Sequence, residues 1–111
     1  MFKKQERLRR SEFSACFKTG KRCHGKYCAV IADVNSGLLK TSVVVSKKVA
    51  KSAVRRNTLK RRVYAVLRKA VMDSGYRGCV IVIIKPTLNS LPRKTANQVV
   101  QQSIADCLKS A

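Results

Sequence analysis

Residues 43–69 read VVVSKKVAKSAVRRNTLKRRVYAVLRK, an apolar run that becomes a row of fixed positive charge within a few residues. Val43, Val44 and Val45 are β-branched residues suited to a half-buried or buried strand. Ser52 stands where a helix N-cap is expected, and Gly75 where such a helix would end. Between them Leu59, Val63, Val66, Leu67 and Ala70 recur at i, i+4, i+7, i+8 and i+11, which lays one apolar stripe along a helix. At about 100° per residue, Asn57, Arg61 and Arg68 fall on the opposite side, with Lys60 and Arg62 flanking them. A solvated helix face usually mixes signs in i,i+4 pairs, yet this segment carries no acid before Asp73. Its repulsion is unrelieved within the helix, and a phosphate backbone would relieve it, because the planar guanidinium fork matches phosphate oxygens. The strand fixes one side of the helix in a core, and the other side is presented as a rigid basic edge.

The rest of the composition agrees. The chain has 111 residues, 45% of them hydrophobic, enough for a core in a single domain spanning residues 1–111. Lys and Arg number 25 against 5 Asp plus Glu, a formal charge of +20. A surface of that kind calls for a polyanion. An anionic membrane would require an apolar span of about 20 residues or an amphipathic helix with bulky anchors, and neither is present. No apolar run exceeds the six residues seen at 79–84, and no h-region follows Met1, so a cytoplasmic protein is expected. The five cysteines, at 16, 23, 28, 79 and 107, are odd in number and lack a paired C-x-x-C spacing. Reduced thiols are therefore expected, with no zinc site; Cys23, His24 and Cys28 lie close in sequence but match no ligand spacing. Scarce acids and one histidine leave no carboxylate cluster for a catalytic metal pair, so no catalytic residue is assigned to the chain.

Working outward from the basic helix, RLRRSEFSACFKTGKR (residues 7–22) has Ser11 as an N-cap, Phe13, Cys16 and Phe17 at helical spacing, and Gly20 as a stop. YCAVIADV (27–34) reads as a strand, Asn35-Ser36-Gly37 as a turn, and LLKTSVVVSKK (38–48) as a second run, together an antiparallel hairpin. GCVIVIIKP (78–86) is continuously apolar up to Pro86, the pattern of a central strand covered on both faces. Thr95 is placed to cap a last helix in which Val99, Val100, Ile104, Cys107 and Leu108 keep a 3.6-residue period. The expected fold is α+β, a two-layer sandwich on a small mixed sheet with element order α-β-β-α-β-α.

SKKVAKSAVRRNTLKRR, following an apolar strand and opening an amphipathic helix, resembles the signature of the bacterial ribonuclease P protein component, with Arg56-Asn57-Thr58-Leu59-Lys60-Arg61 at its centre. The segment at residues 7–22 resembles that family's opening helix, and the likeness in length, basicity and element order covers essentially the whole chain. The resemblance implies a ribonuclease P subunit that supports a catalytic RNA and holds the 5′ leader of precursor tRNA during Mg²⁺-dependent removal of that leader. The Mg²⁺ would be held mainly by the RNA and none tightly by the protein. Arg56, Asn57, Lys60 and Arg61 would face the catalytic RNA, joined by Arg55, Arg62 and Arg68 and by Lys47 and Lys48 at the strand end beside Ser46. Phe13 and Phe17 would line a cleft in which leader bases stack. Either Tyr27 or Ile31 would complete that cleft from the strand, and Lys18, Lys21 and Arg22, with Lys26, would follow leader phosphates. The chain departs from the family at Thr58, where the family usually has a second arginine, and in carrying Arg55 ahead of the motif. No small-molecule substrate is implied. The alternative is a structural RNA-binding protein of ribosomal-protein type, which needs the same charge. The discriminator is the joint presence of the paired phenylalanines and the Arg-Asn motif on a helix that follows a strand.

Overall fold

The chain is described by a computed structural model covering residues 10–33 and 39–110. Its organising element is the strand β4 (Cys79–Ile84), whose CVIVII sequence has apolar side chains on both faces. Ile81 and its neighbours Val80 and Val82 are all 0% exposed. β4 pairs antiparallel with β2 (Cys28–Asp33) and parallel with β3 (Lys40–Val44), while β1 (Lys21–His24) adds an outer antiparallel edge on β2. The sheet order is β1-β2-β4-β3. The continuously apolar run is thus a central strand, as its sequence implies.

The α+β class and the mixed sheet stand as expected, but two details of pairing differ. β2 and β3 are not a hairpin: β4 lies between them. The turn expected at Asn35-Ser36-Gly37 lies outside the described residues. Alternating apolar residues show that a strand is half-buried but do not name its neighbour, so chain adjacency was a poor guide here. The added strand β1, KRCH, is short and mostly exposed, with only Cys23 turned toward the core, and so has little apolar signal.

Side chains of alternate parity divide the sheet between two layers. Cys28, Val30 and Ala32 of β2, Val43 of β3 and Val80, Val82 and Ile84 of β4 face α2 (Ala53–Ser74) and α3 (Arg93–Ser110), in one core with Val63, Leu67, Val100, Ile104 and Cys107. On the other face Ile31, Cys79 and Ile81 meet Cys16 of α1 (Arg10–Thr19), with Phe13 and Phe17 packed at the margin. The helix α2 begins as its sequence indicates, with the Ser52 hydroxyl accepting from Arg55 N, and ends at Gly75, whose φ of 68° is the left-handed conformation that glycine adopts freely. The other two N-termini lie earlier than expected. Ser11 is inside α1, and α3 starts at Arg93, two residues before Thr95, right after Pro92. Proline is favourable at a helix start, and the bond from Ala96 N to Pro92 O at 2.8 Å closes that first turn.

The cysteines are also a correction. Cys16 and Cys79, 63 residues apart, form a disulfide that joins α1 to the central strand, with Cα atoms 6.5 Å apart. A cross-link closing so long a loop stabilises by about 4 kcal/mol in the chain-entropy account. Spacing along the chain gives no sign of such a pair. Cys23, Cys28 and Cys107 are reduced thiols. Burial raises the Cys28 thiol, and burial together with the neighbouring Cys23 raises Cys107 to about 12, so both behave as packing groups at neutral pH.

Gly20 ends α1 where the chain crosses closest to β2. A Cβ there would stand 2.7 Å from Cys16 O and 2.7 Å from Ile31 Cγ2. Gly20→Ala is expected to push α1 off the sheet and lower stability by about 1–3 kcal/mol, read from the midpoint of urea unfolding.

Candidate nucleic-acid interface

The basic helix is held from beneath by its apolar stripe. Val63, Leu67, Ala70 and Val71 are buried, and Val43 N–H donates to the buried Tyr64 hydroxyl at 3.3 Å, tying α2 to β3. Between β3 and α2 the chain turns on Ser46, whose carbonyl accepts from Val49 N and Ala50 N at 3.1 and 3.3 Å. This turn leaves Ser46, Lys47 and Lys48 exposed close to the α2 N-terminus, where backbone N–H groups favour anions. Arg55, Asn57, Arg61 and Arg68 are exposed, and Lys60 and Arg62 are half-buried at the flanks. The expected outward face is therefore present. Arg68 stands seven residues beyond Arg61, about 10 Å along the axis. It lines a separate cavity of about 400 Å³ with Leu39, Met72, Tyr76 and Arg77.

One residue of this face has a second task that the sequence did not reveal. The Arg56 guanidinium turns back and donates from Nη1 to Ala50 O at 3.0 Å and Lys51 O at 2.8 Å. It clamps the β3–α2 connection, and its remaining N–H groups are what it has for a phosphate. Thr58, in the place of the family's second arginine, donates to Val54 O at 3.0 Å and stays on the helix surface. Arg55 and Arg62 lie three residues before and four residues after it on the same side of α2, so positive charge flanks the gap.

On the opposite face of the sheet, Phe13 and Phe17 are half-buried and their rings stack at 6.0 Å between centroids, inclined by 20°. Beside them Val44 and Ile83 are also half-buried and pack on the same small core. Together they form an apolar strip edged by aromatic rings. Arg22 belongs to it: its guanidinium carbon lies 4.3 Å from the Phe17 centroid, and its Nη2 donates to Phe17 O at 2.7 Å. Lys18 and Lys21 are exposed near it. Val44 and Ile83 were missed in the sequence, although their period-two relation to Ser42 and Ile81 was the signal that could have found them.

Two expected cleft residues are placed elsewhere. Ile31 is 2% exposed and lies beneath α1 in contact with Gly20, so no base can reach it. Tyr27 precedes β2, in the turn where Gly25 N bonds Cys28 O at 3.0 Å, and it packs against the core on the α2–α3 side with Lys26 5.5 Å from its ring centroid. Strand parity does not extend into a turn, which is why Tyr27 does not share the face of Ile31. Among the described residues no three His, Cys, Asp or Glu side chains gather as a metal site, Cys23, His24 and Cys28 included.

The family model for ribonuclease P matches residues 2–110. The chain belongs to the ribonuclease P protein family. It is 34% identical over 113 residues to the ribonuclease P protein component of a Pseudanabaena species, covering 99% of this chain and 90% of that one. With the protein component of Microcystis aeruginosa it shares 40% identity over 84 residues, 69% of this chain and 68% of the relative. The solved ribonuclease P protein from Thermotoga maritima superposes with a TM-score of 0.74 at 28% identity, covering 90% of this chain and 96% of that one. That of Staphylococcus aureus, at 19% identity, shares the fold with a TM-score of 0.67 over 95% and 94% of the two chains. Membership decides between the two readings that composition left open. The chain is the protein subunit of ribonuclease P, the holoenzyme that processes tRNA 5′ ends, and its partner is the RNA of that enzyme.

For a ribonuclease P protein the two kinds of arginine on α2 are separable. Arg61→Ala removes an exposed side chain and should leave stability within about 0.5 kcal/mol of the parent while flattening the salt dependence of binding to the RNA by about one counterion. Arg56→Ala should show the same change in salt dependence and in addition lose about 1–3 kcal/mol of stability, because two carbonyls of the connection lose their donor. Urea unfolding and RNA affinity at several KCl concentrations measure the two quantities.

Proposed function

We propose that the two faces divide the work of the holoenzyme. The outward side of α2, with Arg55, Asn57, Lys60, Arg61 and the adjoining Lys47 and Lys48, docks on the catalytic RNA. The strip formed by Phe13, Phe17, Val44 and Ile83, with Arg22, takes the single-stranded 5′ leader of precursor tRNA. The observation that carries this reading is the half-open Phe13–Phe17 pair with a guanidinium over one ring: bases stack on aromatic faces irrespective of sequence, and arginine both stacks and holds phosphate. Phe17 is half-buried, so its inner side is core and only its outer side is available for a base.

The chain contributes charge and binding, and the scission itself belongs to the RNA. Its donor set does not fit a divalent cation among the described residues, and we assign Mg²⁺ mainly to the RNA. Fixed positive charge near the RNA replaces part of the diffuse counterion atmosphere that the folded RNA and the bound leader otherwise recruit. No described helix is long and apolar enough to cross a membrane, and the substrate, precursor tRNA, is met in the cytoplasm.

Phe17→Ala is expected to weaken binding of a precursor tRNA bearing a leader by about tenfold or more, from loss of a stacking contact, while leaving mature tRNA unaffected. The measurement is a pair of affinities for the reconstituted holoenzyme, with a melting curve for the protein. Equal losses for precursor and mature tRNA would overturn the leader assignment. Addition of the protein should also lower the Mg²⁺ concentration at which the RNA cleaves precursor tRNA, and the pure protein should leave that substrate intact.

A further inference from the structure

The flank of α2 beside its apolar stripe holds an unsatisfied donor. Arg62 is half-buried, and its Nε is shielded from solvent and meets no hydrogen-bond acceptor among the described residues. A buried guanidinium N–H without an acceptor is costly, and arginines in this position ordinarily find a carboxylate or carbonyl. Here the charged neighbour has the same sign: burial first, and the Arg93 guanidinium second, lower the pKa of Arg62.

The packing of α3 against α2 brings the two charges within electrostatic reach of each other. Arg93, Ala96 and Val100 lie at i, i+3 and i+7 on α3; Ala96 and Val100 are buried at 5% and 2% exposure, and Arg93 is exposed where that row runs out past the edge of the core. The short 3-10 turn Pro86–Ser90 precedes it, and Asn89 Nδ2 donates to Val49 O at 2.7 Å, fastening the start of α3 to the connection that leads into α2. Leu59 and Leu91 pack from the two sides against the same core. Lys94 follows Arg93, and the first turn of α3 has no acid.

We propose that Arg62 and Arg93 form a notch between α2 and α3 that takes one phosphate of the ribonuclease P RNA backbone. A phosphodiester offers two non-bridging oxygens that share one negative charge, one oxygen for each guanidinium, so a single group supplies the missing acceptor for Arg62 and offsets the like-charge repulsion. The notch widens the RNA-facing surface from the outer side of α2 across to the start of α3, and it brings in Arg93, a residue outside the Arg-Asn motif. The inference rests on the assignment of α2 to the catalytic RNA.

The test uses the full chain and its RNA, with Arg62→Ala, Arg93→Ala and the double variant compared with Arg61→Ala. Each single notch variant should lose about fivefold in RNA affinity at moderate salt, and the double variant should lose clearly less than the product of the two, because both side chains grip one phosphate. Arg93→Lys should restore part of the loss. For the protein alone, Arg93→Ala should raise the melting temperature by removing like charge beside Arg62. Inorganic phosphate at matched ionic strength should raise the melting temperature of the parent more than that of Arg62→Ala. If inorganic phosphate stabilises the parent through Arg62 but neither notch variant alters RNA affinity, the notch is a free-phosphate site and the RNA proposal is overturned. Losses that multiply fully would mean two independent contacts and overturn the shared phosphate. Unchanged affinity for the notch variants alongside a normal loss for Arg61→Ala would remove the notch and leave the α2 face standing. Unchanged affinity for Arg61→Ala as well would bring down both.

Discussion

Burial of β4 on both faces is the constraint on which the rest of the molecule depends. A chain with a formal charge of +20 repels itself when compact, and the apolar area that resists this is concentrated where Val80, Ile81 and Val82 are fully enclosed. The parity of that one strand also sorts the functional elements. Val80, Val82 and Ile84 seat α2 and α3, whereas Cys79, Ile81 and Ile83 receive α1 with its phenylalanines. A helix with a basic outer side and an aromatic strip are thereby fixed on opposite faces of one sheet, the separation on which the proposed division of work rests.

The elements that sequence revealed most clearly are those with a long period and a defined cap. α2 carries five stripe positions, Ser52 and Gly75, and both of its ends fall where those residues put them. β4 is equally plain, because its apolar run of β-branched residues ends at Lys85 and Pro86. The pairing of strands was not legible. β2 and β3 follow one another in the chain, yet the parallel bond of β3 to β4 needs the whole of α2 as its crossover, and nothing local to either strand encodes that. β1 failed for a different reason: a four-residue edge strand that is mostly solvent-exposed has the composition of a loop.

The candidate site shows the same division. The outward residues of α2 follow from a helical wheel because their exposure is set by the stripe beneath them. What a wheel cannot give is where a long side chain goes after leaving the helix. Arg56 turns back to two carbonyls, Arg22 lies over Phe17, and Arg62 has its Nε shielded from solvent. Tyr27 and Ile31 lie outside the cleft because strand parity does not run through the turn before β2 and because α1 covers Ile31. The Cys16–Cys79 link was hidden by a separation of 63 residues and is a product of the α1–β4 contact rather than of any spacing.

The arginines held in place bear on affinity as well as on geometry. A free arginine side chain has about 2 kcal/mol of rotamer entropy to lose when it grips a phosphate. Arg56, bonded to Ala50 O and Lys51 O, and Arg22, bonded to Phe17 O beside the ring it covers, have already lost much of that freedom in the unbound chain. Carbonyl acceptors accomplish this without the carboxylates that would neutralise the surface, and with only 5 acids in 111 residues the protein has few such carboxylates to use. The positive field stays intact for the RNA while individual guanidinium groups are aimed. A docking face assembled mainly from acid-paired arginines would be as ordered, but each phosphate would then have to displace a carboxylate before binding, and the gain in order would be returned as desolvation and broken ion pairs.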